Sequence, residues 1–239
     1  MKRALVTGGS GGLGSAICRR LAADGHHVIV HANRNLAGAD GVCAEIIAAG
    51  GSAEALAFDV TDRAATAAAL DGLVEQAAIQ ILVNNAGIHA DAVFPGMSGE
   101  QWDAVVDVSL NGFFNVTRPL TMPMMRTRWG RIINISSVAG IVGNRGQVNY
   151  SAAKGALHAA GKALAIELAS RGITVNAVAP GIIDTDMIEG SFDADAIKRL
   201  VPMQRAGRPE EVADLVAFLA SEQAAYISGQ VISINGAMA

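Results

Sequence analysis

The stretch TGGSGGLG, residues 7–14, decides the fold class of this chain. It follows a short apolar run at residues 4–6 and leads directly into a stretch with the apolar spacing of an amphipathic helix. Gly8, Gly12 and Gly14 lack Cβ atoms where a chain must turn tightly, approach a pyrophosphate and pack a helix against a strand. The first amides of the helix would then face the phosphates. The stretch therefore predicts a dinucleotide-binding loop.

A second interpretation of the same glycines is weaker. Residues 8–12 also fit G-x-S-x-G, the nucleophile elbow of α/β-hydrolases. Such an elbow normally follows an inner strand and needs an acid and then a histidine downstream, whereas this stretch follows the first strand. The later histidines, His31, His89 and His158, have no convincing loop context. We therefore prefer the dinucleotide-binding interpretation.

Short β-branched runs alternate with longer amphipathic stretches along the whole chain. The expected strands cover residues 4–6, 28–30, 55–58, 81–83, 131–135, 174–178 and 231–234, and the expected helices cover residues 13–24, 37–49, 64–76, 99–125, 148–171 and 209–221. This alternation predicts one doubly wound, Rossmann-type α/β domain over residues 1–239, with seven largely parallel strands and helices on both faces. Pro119 and Pro123 are expected to bend or interrupt the fourth helix. Residues 186–208 are expected to form a mobile insertion on the substrate side.

The composition excludes several classes of protein. Of the 239 residues, 51% are hydrophobic and 17% are charged, which favours a folded core over disorder. The net charge of −4, with no basic stripe, argues against nucleic acid as a partner. No window offers the roughly 18 uncharged apolar residues of a membrane span. Cys18 and Cys43 are too few for a disulfide framework, and no cluster has metal-ligand spacing, so we expect a cytoplasmic protein without a metal.

Three side chains form a candidate acid–base group. Tyr150 and Lys154 are four residues apart in an expected helix, which places them on one face with Cβ atoms about 5–6 Å apart. The lysine ammonium, together with an oxidised nicotinamide ring, would favour the phenolate and lower the tyrosine pKa towards the working range. Ser137 follows an expected strand, and its hydroxyl could hold a substrate carbonyl by a hydrogen bond. A lone Tyr-x-x-x-Lys pair is common on exposed helix faces. The catalytic interpretation of this pair therefore depends on the glycine loop and Ser137.

With these motifs, the chain resembles the short-chain dehydrogenase/reductase family over essentially its whole length. The motifs that carry the resemblance are TGGSGGLG (7–14), FDVTD (58–62), NNAG (84–87), Ser137, YSAAK (150–154) and PGIIDTDM (180–187). Within that family the chain is similar to the β-ketoacyl carrier-protein reductases, as residues 144–154, 169–181 and 201–213 indicate. Residues 94–105 and 115–125 also look similar to ketoreductases of aryl-polyene and related specialised pathways.

The resemblance implies a role for each matching residue. Ser137 would orient the keto oxygen, Tyr150 would donate its proton, and Lys154 would hold the nicotinamide ribose and lower the tyrosine pKa. Asp59 and Val60 would meet the adenine, residues 85–87 the adjoining ribose, and Ile183 and Thr185 the carboxamide. The full set expected to bind the cofactor is Gly8, Ser10, Gly11, Gly12, Leu13, Gly14, Asn33, Arg34, Asp59, Val60, Asn85, Ala86, Gly87, Tyr150, Lys154, Pro180, Gly181, Ile183 and Thr185.

The resemblance also implies partners for the chain. Basic residues matching Arg128 and Arg171 are associated with docking of an acidic acyl carrier protein. The family further implies a homotetramer built through the two long helices and the C-terminal strand. By the simplest interpretation, the group Arg126, Arg128 and Arg131 with Trp129 is a solvated helix end with an aromatic anchor.

The sequence departs from the family at two places that bear on the chemistry. Ser109 stands where the family usually has an asparagine that supports a water-mediated proton relay, and Asn111 lies about 200° further round the helix. Ser109 is therefore predicted to substitute in the relay. Gly11 stands where many NADPH users have arginine, and no aspartate follows the second expected strand. Because Asn33 and Arg34 could accept a 2′-phosphate that an acid would repel, we expect NADPH.

These expectations combine into one predicted reaction and two alternatives. The predicted reaction is NADPH-dependent reduction of a 3-oxoacyl thioester on an acyl carrier protein to the 3-hydroxyacyl product. The first alternative is a dehydrogenase of a free sugar, polyol or steroid alcohol on the same scaffold. The second is a non-catalytic NADP(H)-binding regulatory protein, which the missing relay asparagine favours and the presence of Ser137, Tyr150 and Lys154 opposes.

Overall fold

A parallel sheet of seven strands forms the centre of the computed structural model, which describes residues 1–185 and 193–239. The strands are β1 (Arg3–Val6), β2 (His27–Ala32), β3 (Ser52–Ala57), β4 (Ile81–Asn84), β5 (Gly130–Ile135), β6 (Ile173–Pro180) and β7 (Val231–Ile234). Their order is β3-β2-β1-β4-β5-β6-β7, and each neighbouring pair is parallel. The order reverses between β1 and β4, and in such sheets ligands bind beyond the carboxyl ends of the strands at that point.

Helices cover both faces of the sheet. They are α1 (Gly12–Ala23), α2 (Leu36–Ala48), α3 (Arg63–Gln76), α4 (Gly99–Val106), α5 (Gly112–Thr127), α6 (Ala139–Val142), α7 (Val148–Leu168), α8 (Ala194–Leu200) and α9 (Pro209–Ala220). Side chains of β1 alternate between the two layers: Ala4 and Val6 pack with α1, α2 and α9, whereas Leu5 packs with α3, α5 and α7. Burial on both faces explains why the central strands are almost continuously apolar.

The predicted fold class is confirmed, and the sheet is parallel throughout. The main difference in the strands is that β3 begins at Ser52, three residues before the expected start at Ala55. Residues 52–54 lack β-branched side chains, but His27 of β2 pairs with Ser52 and continues the ladder. Pairing with a neighbouring strand thus extends β3 beyond what local composition indicates.

Pro119 and Pro123 do not interrupt the fourth helix, although they were expected to bend or interrupt it. Helix α5 continues through both Pro119 and Pro123, and the break lies earlier, where residues 107–111 form a π-helical segment between α4 and α5. Each proline in a helix costs about 3 kcal/mol. Val116, Leu120 and Met124 are fully buried on one face of α5 and each contributes about 1.5–3 kcal/mol by burial. Burial of this stripe against the sheet therefore offsets the loss.

The expected insertion at residues 186–208 is only partly described, because residues 186–192 lie outside the described ranges. Beyond them, α8 forms behind an Asp193 side chain that caps its first turn. Val201 is buried, and Gly207 pairs with Ile183 in an isolated parallel bridge. Residues 193–208 therefore include a helix and a segment that packs on the domain, and the expected mobility of the insertion stays a prediction.

Across the described part of the chain, none of the helices combines the length and the apolar character that spanning a bilayer requires.

Candidate active site

The glycine loop lies at the carboxyl end of β1, beside the point where the strand order reverses. Gly8 adopts a φ of +65°, and a Cβ on Gly14 would overlap the carbonyl oxygen of Gly8. Helix α1 begins at Gly12 with Gly11 as its N-cap, with no side-chain cap and no acidic residue in its first turn. Its first amides are therefore left for an external anion, which fits a pyrophosphate.

A second loop is held against the glycine loop by hydrogen bonds. The Thr7 hydroxyl oxygen accepts from the backbone N–H of Asn85 and of Ala86, both at 2.9 Å. The Asn85 side-chain amide donates to the carbonyl oxygens of Thr7 at 2.9 Å and Gly8 at 3.1 Å. These bonds join the carboxyl ends of β1 and β4 into one rigid edge. Thr7 was not among the expected site residues, although it opens the glycine motif.

The three candidate acid–base residues meet at the same edge. Ser137 follows β5, and its Oγ accepts from the Ala139 N–H at 3.2 Å, which leaves the hydroxyl hydrogen for another acceptor. Lys154 Nζ lies 5.6 Å from the centroid of the Tyr150 ring on the same face of α7. The lysine is 3% exposed. A Cβ on Gly87 would lie 3.1 Å from Nζ, so the loop after β4 passes close to the lysine at this glycine.

The electrostatics of this group differ from the expectation for the tyrosine. Burial lowers the pKa of Lys154 to about 8. Burial raises the pKa of Tyr150, interaction with the Ser137 hydroxyl lowers it, and the Asp91 carboxylate raises it further. The net effect raises the pKa of Tyr150. The lowering of this pKa that was predicted from Lys154 is therefore not found in the protein by itself. A neutral phenol is nevertheless the form that can donate a proton to a ketone oxygen.

Two residues at this edge were missed by the sequence analysis. Asn149 is fully buried, and its side-chain amide donates to the carbonyl oxygens of Ala90 and Gln101, both at 3.0 Å. Its side-chain oxygen accepts from the Tyr150 N–H at 2.8 Å, so it anchors the start of α7. Asp91 accepts from the Gln147 side chain at 2.8 Å and acts on Tyr150. In the sequence, only the position of Asn149 next to Tyr150 could have indicated that it belongs to the site.

Ser109 lies in the π-helical segment and is not hydrogen-bonded to the acid–base group. It is 3% exposed, and its Oγ has no hydrogen-bond partner among residues 1–185 and 193–239. A cavity of about 10 Å³ adjoins Ser109, lined also by Thr7, Asn84, Ala86 and Leu157 among others. That volume is about the minimum for one water molecule. The predicted relay role of Ser109 stays a prediction.

The residues expected at the adenosine end lie beyond β2 and β3. Asn33 and Arg34 are exposed after β2, and Val60 is buried. The Asp59 carboxylate accepts from the N–H and the hydroxyl of Thr61, at 2.9 and 2.8 Å, and the backbone bond is the main cause of its lowered pKa. Arg34 also lowers the pKa of Asp59, so a cation and a carboxylate flank this end of the groove.

The segment after β6 closes the other side of the groove. The Pro180 carbonyl accepts from Val138 N–H at 2.8 Å, which ties β6 to the loop that carries Ser137. Ile183 is buried at its bridge with Gly207. The Thr185 side chain lies 3.5 Å from where a Cβ on Gly12 would be, so it faces the glycine loop.

The residues expected to dock a carrier lie at the opposite edge of the sheet. Arg128 precedes β5 with a φ of +51° and donates to the Ser170 carbonyl at 3.2 Å, and Arg171 precedes β6. The expectation of a solvated cluster is wrong for Arg131, which is 2% exposed. Its guanidinium carbon lies 4.2 Å from the Trp129 ring centroid, so aromatic stacking and backbone bonds bury it.

Comparison with known proteins agrees with this geometry. The sequence matches the profile of the short chain dehydrogenase family over residues 2–196. It is 47% identical over 236 residues to a 3-oxoacyl-acyl-carrier-protein reductase of Aggregatibacter actinomycetemcomitans, covering 98% of each chain. A protein of the same name from Synechocystis sp. is 47% identical over 241 residues, covering 98% of this chain and 96% of its own. Nodulation protein G of Azospirillum brasilense is 45% identical over 240 residues, covering 99% and 98%.

Proposed function

The chain belongs to the short chain dehydrogenase family, and on that premise we propose that it reduces 3-oxoacyl groups on an acyl carrier protein to 3-hydroxyacyl groups with NADPH. The observation that carries this proposal is the meeting of Ser137, Tyr150 and Lys154 beside an uncapped helix N-terminus. The near-full-length similarity to proteins named as 3-oxoacyl-acyl-carrier-protein reductases supports the substrate class.

Each of the three residues has a distinct part in the reaction. The reduced nicotinamide, when bound, supplies a hydride to the carbonyl carbon. Ser137 donates its free hydroxyl hydrogen to the keto oxygen and holds the carbonyl in place. Tyr150, kept neutral by burial, transfers its proton to that oxygen as the alcohol forms. Lys154, with a pKa of about 8, is mostly protonated at neutral pH and stabilises the phenolate left behind.

The groove has the residues that a dinucleotide requires. Residues 8–14 would hold the pyrophosphate at the start of α1, and Asp59 and Val60 would meet the adenine. Residues 85–87 would line the adjoining ribose, and residues 180–185 the carboxamide. Asn33 and the exposed Arg34 support NADPH over NADH, because no acid follows β2 to repel a 2′-phosphate.

We propose that a carrier docked on one protomer reaches the acid–base residues of another. Arg128 and Arg171 lie at the amino ends of β5 and β6, whereas Tyr150 lies at the carboxyl edge. Helix α7 has 21 residues and is about 30 Å long, so the two sites are far apart within one protomer. A carrier docked on one protomer would therefore deliver its acyl group to the active site of a partner protomer. In this arrangement α5 and α7 of the partner pack antiparallel to α5 and α7 of the first protomer.

Apolar side chains on α5 and α7 support that assembly. Phe114 and Met122 on α5 are 45% and 54% exposed, and Ile166 on α7 is 82% exposed. Large exposed apolar residues on two adjacent helices favour burial against a partner. We propose a homotetramer that uses these helices and β7. The free thiols of Cys18 and Cys43 support a cytoplasmic location.

The proposal is tested by following NADPH oxidation with acetoacetyl and longer 3-oxoacyl carrier-protein substrates. Free ketones and secondary alcohols of the sugar, polyol and steroid classes serve as the competing substrates, and NADH as the competing cofactor. The proposal predicts the highest kcat/KM for carrier-bound 3-oxoacyl groups with NADPH. Faster turnover of free alcohols would assign the chain to another dehydrogenase, and tight NADPH binding without turnover of any carbonyl would indicate a regulatory protein.

A further inference from the structure

A buried histidine outside the acid–base group connects the two ends of the expected cofactor groove. His31 lies in β2 and is 1% exposed. Its Nδ1 lies 3.1 Å from the backbone nitrogen of Gly8, and its Nε2 lies 2.8 Å from the carbonyl oxygen of Phe58. An N–H can only donate and a carbonyl can only accept. His31 must therefore be neutral, with its hydrogen on Nε2.

The two partners of His31 belong to different segments of the groove. Gly8 is the residue of the glycine loop with a φ of +65°, and the next amide, that of Gly9, donates to the His31 carbonyl at 2.7 Å. Phe58 comes directly before Asp59, and its ring centroid lies 4.1 Å from that of the imidazole. We call residues 58–60 the adenosine wall. His31 is thus bonded to both the glycine loop and the adenosine wall.

We propose that neutral His31 positions the glycine loop against the adenosine wall, so that protonation of His31 weakens dinucleotide binding. This inference rests on the proposed function, since it assumes that the groove binds a dinucleotide. In the cation, Nδ1 would also carry a hydrogen, and two donors would face each other at the Gly8 contact. The partly buried Gly8 amide would then lose its acceptor, which favours displacement of the loop.

The surroundings of His31 have opposing effects on its protonation. Burial disfavours the cation, while the Phe58 carbonyl and the Asp59 carboxylate favour it. The glycine loop, residues 7–14, has no titratable side chain, and Arg34 beyond β2 acts on Asp59. Burial is the largest effect and lowers the pKa of His31 below its usual 6.5. His31 is therefore neutral at pH 7, and the loss of affinity is expected only at pH values below the usual titration range of histidine.

A variant that keeps the acceptor but cannot titrate provides the matched comparison. In His31→Asn the side-chain oxygen is the same number of bonds from the backbone as Nδ1, so it can accept from Gly8. His31→Leu removes the acceptor at every pH. The 2′-phosphate of NADPH also titrates near pH 6 and makes the Kd depend on pH. This contribution comes from the ligand, so it cancels in the ratio of two Kd values measured at the same pH.

The test measures the Kd for NADPH by nicotinamide fluorescence between pH 5 and 8 at constant ionic strength. We expect the ratio of the native Kd to the His31→Asn Kd to rise more than twofold from pH 7.5 to pH 5. His31→Leu should bind about tenfold more weakly than the native protein at pH 7.5 and should lack this extra pH dependence. A ¹⁵N–¹H spectrum of the cofactor-free protein should show a hydrogen on Nε2 alone at pH 7.5, which gives a readout even if His31→Leu fails to fold.

A native to His31→Asn ratio that stays constant within twofold from pH 8 to pH 5 would overturn the inference while leaving cofactor binding intact. A ring nitrogen spectrum with the hydrogen on Nδ1 would overturn it as well. If the native protein bound no dinucleotide at any pH, the proposed function itself would fail, and this inference with it.

Discussion

Lys154 Nζ donates a hydrogen bond of 2.9 Å to the backbone carbonyl oxygen of Ile135. This bond joins α7 to the last residue of β5, two residues before Ser137. It keeps the ammonium inside the domain and directed at the carboxyl edge of the sheet, where Tyr150 lies. The lysine is consequently buried, and burial lowers its pKa to about 8.

Replacing Lys154 should make the protein more stable and inactive. In the unfolded chain the lysine stays protonated up to about pH 10.4, so its burial costs about 3 kcal/mol at pH 7. Lys154→Met removes that cost but loses a hydrogen bond of about 1 kcal/mol. We expect the free energy of unfolding at pH 7 to rise by about 2 kcal/mol, as measured by urea denaturation, while turnover falls at least about a hundredfold.

The pH dependence provides the control for this prediction. Between pH 8 and about 10.4 the unfolded chain binds more protons at this site than the folded protein, so native stability rises with pH. The stability advantage of Lys154→Met should therefore shrink towards pH 10. An advantage that is constant over this range would show that the buried ammonium is not its source.

Removing the charge of Asp91 should shift the titration of Tyr150. The carboxylate raises the pKa of the phenol, so Asp91→Asn should lower it while retaining an acceptor for Gln147. Oxidation of a 3-hydroxyacyl thioester needs the phenolate, and its rate rises with pH up to the tyrosine pKa. Because Asp91 is 45% exposed on its side chain, solvent screens its charge and we expect the shift to be small.

A lower tyrosine pKa would make the Asp91→Asn variant faster in oxidation than the native protein at pH 8. The measurement is kcat/KM for oxidation across pH 7 to 10. In 1 M salt the difference should shrink, because the Debye length falls to about 3 Å. Identical profiles for the two proteins would mean that Asp91 does not act on the proton donor.

Ser109→Asn should be tolerated and should stabilise the site. The Ser109 hydroxyl is buried without a partner beside a cavity of about 10 Å³ whose lining includes Thr7 and Asn84. A longer amide can fill this space and reach polar groups that the hydroxyl does not, which is worth about 1 kcal/mol. We expect turnover to be preserved or raised and the unfolding midpoint to increase. As a control, Ser109→Ala loses no hydrogen bond and should leave the free energy of unfolding nearly unchanged. A large loss of turnover in folded Ser109→Asn would show that the site is built differently.

Charge reversal of the two arginines that are proposed to dock the carrier should affect only carrier-bound substrates. Arg128→Glu combined with Arg171→Glu should raise the KM for a 3-oxoacyl carrier protein about tenfold or more through repulsion of the acidic carrier. The kcat for a small 3-oxoacyl thioester should stay within twofold of the native value, because both residues are far from Tyr150. Unchanged KM for the carrier-bound substrate would refute the docking role.

The sequence predicted the parts of this molecule that depend on local spacing. The Tyr150–Lys154 pair follows from helix periodicity, and the position of the glycine loop follows from a strand that leads into a helix. Neither Asn149 nor His31 could be assigned, because their partners at Ala90, Gln101 and Phe58 are distant in sequence. The continuity of α5 through its prolines likewise depends on packing against the sheet, which local propensity does not describe.

The most direct test of the account is a single-turnover measurement on Tyr150→Phe with NADPH and a 3-oxoacyl carrier protein. The variant removes the hydroxyl that is proposed to donate the proton and leaves the ring in place beside Lys154. The account predicts that NADPH binds with a Kd within about threefold of the native value, while the rate of hydride transfer falls by about 10²–10⁴. A Tyr150→Phe variant that oxidises NADPH at a near-native rate would contradict it.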